Sequence, residues 1–377
     1  EGAETGYVTN SYDRSLAYMS DDFTMRAEDA GVVESVTDKY IVIKYNNGKR
    51  SAVKLKMLNK NSAKGKFVVA YMKPVVKVGQ KVKANDVLAH DKDFFKYNDL
   101  EGFVATMGAV LNIIWKPEAC VYEDSVVISE TASKKLMNRA VKRVAARFHK
   151  NSKITDFKHL GEFVNADTPL ITFVQGTEDD LMSEFLSNSE MSELDKKERT
   201  AHKAGEIFNI RMTYACDKST MSSSVSKFMT TISKEILELN EEKQISTVTD
   251  EFNKREFSEL PVEVKGGHKM NGEIIEKDEI LVEYFIEYPD FMGIGDKGSQ
   301  FTALKGIVAK VVPDNEMPIG VDSGRHVDLV CSPYSPGARK TFDVNHVFVQ
   351  NCLMEKLTDI ARETFLGKDY KKLFDKK

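Results

Sequence analysis

Two lysines, Lys297 and Lys305, are separated by seven residues and each lies beside glycine, in Gly295-Asp296-Lys297-Gly298 and Lys305-Gly306. Glycine lets a backbone or ligand approach closely, and an ammonium is a compact point charge suited to phosphate. An acidic pair, Glu123-Asp124, precedes Ser125 and the apolar Val126-Val127-Ile128. Adjacent carboxylates at a strand edge can hold Mg²⁺ directly or through water. Arg339 closes the Pro/Gly-rich segment Ser332-Pro333-Tyr334-Ser335-Pro336-Gly337-Ala338. A guanidinium presented from such a loop can grip a triphosphate through two parallel hydrogen bonds. From Lys134 to Lys153 there are eight basic residues and no acid: Lys134, Lys135, Arg139, Lys142, Arg143, Arg147, Lys150 and Lys153. The run can track a phosphate backbone or form a solvated face. Taken singly, each of these features also fits an ordinary surface turn.

Gly293-Ile294-Gly295-Asp296-Lys297-Gly298 matches the dinucleotide fingerprint GxGxxG. That fold needs a long helix next, and Gly306-Ile307-Val308 starts another strand too soon for one. The net charge of −4, from 54 basic and 58 acidic residues, argues against a strongly basic coat protein while allowing a local basic groove. The four cysteines, Cys120, Cys216, Cys331 and Cys352, form no CxxC pair, so free thiols in a reducing compartment are expected and a zinc site is not. No apolar run approaches the roughly 18 residues of a membrane span. The polar start, Glu1-Gly2-Ala3-Glu4-Thr5, is unlike a secretory signal, and it lacks Met, as a fragment would.

The elements that must position these residues read as mainly β. Residues 31–36 and 40–45 are rich in branched and aromatic residues, with a turn at Asn46-Asn47-Gly48. Strands are also expected over 279–286, 306–312 and 327–330. One pattern recurs three times: glycine, then Val or Ile three residues on, then Leu six residues later. It occurs at Gly79/Val82/Leu88, Gly161/Val164/Leu170 and Gly272/Ile275/Leu281. Three copies at unequal intervals suggest several small β-barrel modules rather than a solenoid. A helical insert is expected between 178 and 245, from Leu181, Met182, Phe185 and Leu186 and from Phe228, Ile232, Ile236 and Leu239, with a flexible turn over Ser219–Ser226. Leu353, Leu357, Ile360 and Phe365 predict an amphipathic C-terminal helix.

In order along the chain, these pieces resemble the C-terminal half of the β, or second-largest, subunit of multisubunit DNA-dependent RNA polymerases. The resembling segments are Arg26-Ala27 through Gly31-Val32-Val33, Val78-Gly79 through Asp86-Val87-Leu88-Ala89, and Tyr122-Glu123-Asp124-Ser125 through Ser129-Glu130. Gly295-Asp296-Lys297 with Lys305-Gly306, Met317-Pro318, Val327-Asp328-Leu329-Val330 and Ser332-Pro333 through Arg339 follow. The resemblance spans about 25–350, with a poorly matched middle.

It implies an α+β, mainly β fold: a double-psi β-barrel interrupted by a flap, or wall, domain of sandwich-barrel type with the helical insert. The expected divisions are 1–135, β-rich and including the first part of the barrel; 136–280, the flap; 281–350, the second part of the barrel; and 351–377, the C-terminal helix. It further implies that Lys297 and Lys305 contact the RNA 3′ end and the reacting phosphate. Glu123 and Asp124 would lie near the second Mg²⁺, Arg339 would hold the NTP triphosphate, and Arg139, Arg143 and Arg147 are the candidates for further nucleic-acid contact.

Phe301-Thr302-Ala303 stands where cellular enzymes have Arg-His-Gly, and the middle domain is short. Together with absent flanking lobes, these departures resemble a split β subunit of a jumbo-bacteriophage non-virion polymerase, which implies an infected bacterial cytoplasm. The catalytic Asn-Ala-Asp-Phe-Asp-Gly-Asp run of the β′ subunit is missing, so the chain is not expected to act alone. The implied partners are a β N-terminal chain, β′ chains holding most of the Mg²⁺, a promoter-specificity subunit, template DNA, the RNA–DNA hybrid and NTPs, with no membrane. Two other classes fit parts of the sequence: a lipoyl/biotinyl-like carrier, from Val78-Gly79 through Asp86-Val87-Leu88, although Met72-Lys73-Pro74 precedes that turn and has Pro where a modifiable Met-Lys-Met has Met, and a scaffold of β-modules.

Overall fold

The computed structural model describes residues 3–6, 10–19, 23–38, 40–61, 66–98, 102–175, 196–241, 260–300, 304–321 and 324–367. The fold is mainly β, with several sheets and few helices. Two compact units are formed, one from 1–20, 93–138 and 291–377, the other from 21–92 and 139–290. Among the described residues, no helix is long and apolar enough to cross a membrane.

The unit containing 291–377 is built on a five-stranded sheet. Its order is Ile113–Trp115, Leu329–Cys331, Ser125–Ser129, Leu304–Val312 and Lys297–Gln300. Ser125–Ser129 runs parallel to Leu304–Val312 and antiparallel to Leu329–Cys331. Val126, Val127 and Ile128 are all buried, because successive side chains enter opposite cores. Val126 and Ile128 join Val308, Leu329 and Cys331, while Val127 joins Val121, Val312, Met317 and Val330. The helix Asp343–Leu366 places Phe348 edge-on to Trp115, but Leu353, Leu357 and Ile360 are exposed, so its predicted apolar stripe is not buried against its own unit.

In the second unit, the sheet carries Phe163–Val164, Gly205–Tyr214, Glu279–Asp290, Asn138–His149, Lys66–Pro74, Val87–Asp91 and Thr24–Arg26, in that order. The helix Ser223–Glu241 lays Val225, Phe228, Ile232 and Ile236 into its core. This helix meets part of the expected insert, but the strand Gly205–Tyr214 precedes it and Ser223–Ser226 begins the helix rather than a flexible turn. The expectation for 181–186 lies outside the described residues. Lys73 is inside the strand Lys66–Pro74, opposite His90, and not at a hairpin tip as a carrier lysine must be.

The three recurring patterns are one turn used three times. Gly79, Gly161 and Gly272 all have positive φ, the conformation that spares only glycine a steric cost. Four residues on, the N–H groups of Lys83, Asn165 and Glu276 donate to the side chains of Asp86, Thr168 and Glu279 at 2.8, 3.0 and 2.9 Å. The N–H of each of those three residues returns to the carbonyl of its partner. Val82, Val164 and Ile275, then Leu88, Leu170 and Leu281, are buried immediately around these turns.

The basic run meets acids that lie far off in sequence. Arg139 faces Glu287 at 3.4 Å, Arg143 pairs with Glu283, and Arg147 faces Glu279 at 3.7 Å, forming a ladder between Asn138–His149 and Glu279–Asp290. Lys135 and Lys150 meet Asp328 and Asp278 at 3.5 and 2.8 Å. The three arginines are therefore each paired with a carboxylate within the fold. Glu283 is fully buried and also accepts from Asn271 at 2.8 Å. Burial alone would raise the Glu287 pKa; bonds from Lys56, Tyr71 and Arg139 outweigh it and hold the carboxyl below its ordinary value.

Removing Arg143 leaves Glu283 buried without its counter-charge, whereas Arg147 is nearly half exposed. Arg143→Ala is expected to lower the stability of the chain by about 3–5 kcal/mol and Arg147→Ala by less than about 1 kcal/mol, as read by denaturant unfolding.

Candidate functional site

The acidic pair lies in a tight turn before the strand Ser125–Ser129. Ser125 closes the turn: its hydroxyl accepts from the Tyr122 N–H at 2.8 Å. Glu123 has φ of 45°, an uncommon conformation for a residue with a side chain, so the turn depends on outside support. Support comes from two sides. The Asp124 carbonyl accepts from the Ile307 N–H at 2.7 Å, and the Glu123 carbonyl accepts from the Ser335 hydroxyl.

The lysines belong to the hairpin of Lys297–Gln300 and Leu304–Val312. Lys297 is opposite Ile307 and Ser299 is opposite Lys305, so the two lysines are diagonal neighbours on one face. Both are exposed, and among the described residues neither meets a carboxylate. The tip, Phe301-Thr302-Ala303, lies outside the described residues. Ahead of the hairpin, Gly295 has φ of 90° and the Asp296 carboxylate accepts from the Gly293 N–H at 2.8 Å. Asp296 thus shapes the turn that launches Lys297, and the GxGxxG match is a β-turn and hairpin without the helix of a dinucleotide site.

Gly306 explains how the hairpin reaches the acidic turn. A Cβ built there would lie 2.7 Å from Cγ1 of Val126. The glycine admits a neighbouring strand, not a ligand. A shallow depression results, lined by Trp115, Glu123, Asp124, Ser125, Lys305 and Ser335 among others.

Arg339 ends a short helix, Tyr334–Arg339, rather than extending from an irregular loop. Its guanidinium binds the Asp124 carboxylate through Oδ2. Four candidates, Glu123, Asp124, Lys305 and Arg339, are thereby grouped, and Lys297 shares the hairpin face with Lys305. Arg139, Arg143 and Arg147 belong to the other unit and its ladder. Sequence reasoning did not single out Trp115, Ser332 or Ser335. Serines are common in loops, and only the fold brings Ser335 against Glu123.

A family model described as RNA polymerase Rpb2, domain 6, matches residues 26–344. The chain belongs to this family. It is accordingly a region of the second-largest subunit of a DNA-directed RNA polymerase, a nucleotidyltransferase complex whose subunits associate with one another and with DNA and RNA. The Rpb2 domain 6 match runs through parts of both units, so the carrier and scaffold readings are set aside.

Within this Rpb2-type region, Gly306→Ala is expected to push the lysine hairpin off Val126 and to cost about 1–3 kcal/mol, seen as a lower unfolding midpoint of the purified chain.

Proposed function

We propose that this chain supplies part of the active centre for template-directed NTP polymerisation. One observation carries the reading: Glu123, Asp124 and Lys305 share a depression and Arg339 binds Asp124, although Arg339 and Asp124 are 215 positions apart. We read the five-stranded sheet, with its parallel and antiparallel neighbours drawn from 113–129 and 297–331, as the double-psi β-barrel. The unit containing 139–290 is read as including the flap. Phe301-Thr302-Ala303 in place of Arg-His-Gly supports a split phage-type subunit in an infected bacterial host.

In this reading the RNA 3′ hydroxyl attacks the α-phosphate of the incoming NTP and pyrophosphate leaves. Lys297 and Lys305 neutralise charge that builds on the phosphate oxygens, and Arg339 holds the triphosphate. Mg²⁺ often uses one or two carboxylates together with substrate phosphates, and Glu123-Asp124 fits such a partial site. Arg339 engages one oxygen of Asp124, which leaves the other and the Glu123 carboxylate for a cation. We read β′ chains as holding most of the metal. When bound, Mg²⁺ supplies positive charge at the phosphates. The other proposed partners are a β N-terminal chain, a promoter-specificity subunit, template and RNA–DNA hybrid.

Purified alone, the chain is expected to incorporate no nucleotide. In the polymerase assembled with its partner subunits, Lys297→Ala or Lys305→Ala should slow single-turnover extension of an RNA–DNA scaffold by about 10²–10³. Folding should change little, because both side chains are exposed. Arg339→Ala should raise the NTP requirement by about 1.5–3 kcal/mol with template binding retained. Wild-type extension by both lysine variants overturns the assignment.

A further inference from the structure

Ser335 is buried at 8 % exposure, and its hydroxyl donates to the backbone carbonyl of Glu123. Glu123 is the left-handed residue of the acidic turn, and a left-handed non-glycine persists only where its surroundings hold it. The Ile307 N–H secures the Asp124 carbonyl on the hairpin side of the turn. On the other side, the segment that carries Ser335 also carries Arg339, and it touches the turn at three points. Ser335 meets the Glu123 backbone, Arg339 meets the Asp124 carboxylate, and the Tyr334 ring lies 6.4 Å from that of Tyr122.

Of these contacts, only the Ser335 bond comes from a buried side chain and is directed at the strained peptide. An exposed ion pair such as Arg339–Asp124, with side chains 39 % and 43 % exposed, is weak when nothing else fixes its geometry. A carbonyl held by a buried hydroxyl fixes where the two following groups point. We propose that Ser335 is a positioning residue: it locks the backbone of Glu123 so that both carboxylates and Arg339 are presented together to the nucleotide triphosphate and its cation. The inference rests on the active-centre reading given above. Ser335 touches no substrate and acts through the turn.

The test uses the assembled polymerase and single-nucleotide extension on a preformed RNA–DNA scaffold, with ATP, CTP, GTP and UTP as substrates and Mg²⁺ varied. Alanine fits the serine site without added bulk, so Ser335→Ala should assemble and melt as the wild type does. Its requirement for NTP and Mg²⁺ should rise about five- to tenfold, the scale of one lost hydrogen bond. In an Asp124→Ala background the same substitution should add less than it does alone, because one of the groups it positions is gone. A merely structural role would move assembly or melting and not that coupling. Unchanged requirements in Ser335→Ala, with Asp124→Ala and Arg339→Ala both impaired, overturn the inference and leave the active-centre reading standing. Fully additive effects of Ser335→Ala and Asp124→Ala also overturn it. If Asp124→Ala and Arg339→Ala extend as wild type, the active-centre reading falls and the inference falls with it.

Discussion

The site depends on the parallel pairing of Ser125–Ser129 with Leu304–Val312. Parallel strands cannot be joined by a tight turn, so the two must come from separated stretches of chain. Gly306 lets them close to contact at Val126, and the Ile307 N–H then fastens the Asp124 carbonyl. One backbone contact therefore sets the lysine hairpin against the acidic turn. Each additional group, Arg339 included, is placed relative to that pair.

Charge is used in two ways in this molecule. In the unit containing 139–290, arginines and glutamates are matched along two strands and consume one another. Such pairs specify register, because a slip of one residue would part Arg143 from buried Glu283. In the other unit, Lys297 and Lys305 are exposed side by side without acids opposite, an arrangement that repels itself until an anion arrives. The contrast separates cations paired within the fold from cations left exposed on a hairpin face.

Much of the β framework could be read from the sequence because its signals are local. Positive-φ glycines at 79, 161 and 272 and the branched residues after them mark turn and strand without any distant partner. The arginine run was ambiguous because its partners, Glu279, Glu283 and Glu287, are on a strand more than a hundred residues away. The short helix ending at Arg339 was hidden by Pro336 and Gly337, which read as loop when the packing of buried Ser335 and Pro336 is unknown. The residues of the candidate site were recognisable by type and order. That Arg339 rests on Asp124, and Ser335 on the Glu123 backbone, required the fold.

The discontinuous make-up of the unit from 1–20, 93–138 and 291–377 has a consequence for biosynthesis. Val126 leaves the ribosome long before Val308, the residue it pairs with, and before Val330, which pairs with its neighbour Val127. Until those later strands emerge, Val126 and Ile128 have no core to enter, and their strand presents bare edges to any passing chain. Residues 139–290 can meanwhile complete most of their own sheet, with the helix Ser223–Glu241 docked on it. The nascent protein thus carries a finished insertion inside an unfinished host, and the stretch of translation between Ser129 and Leu304 is when a chaperone has most to protect.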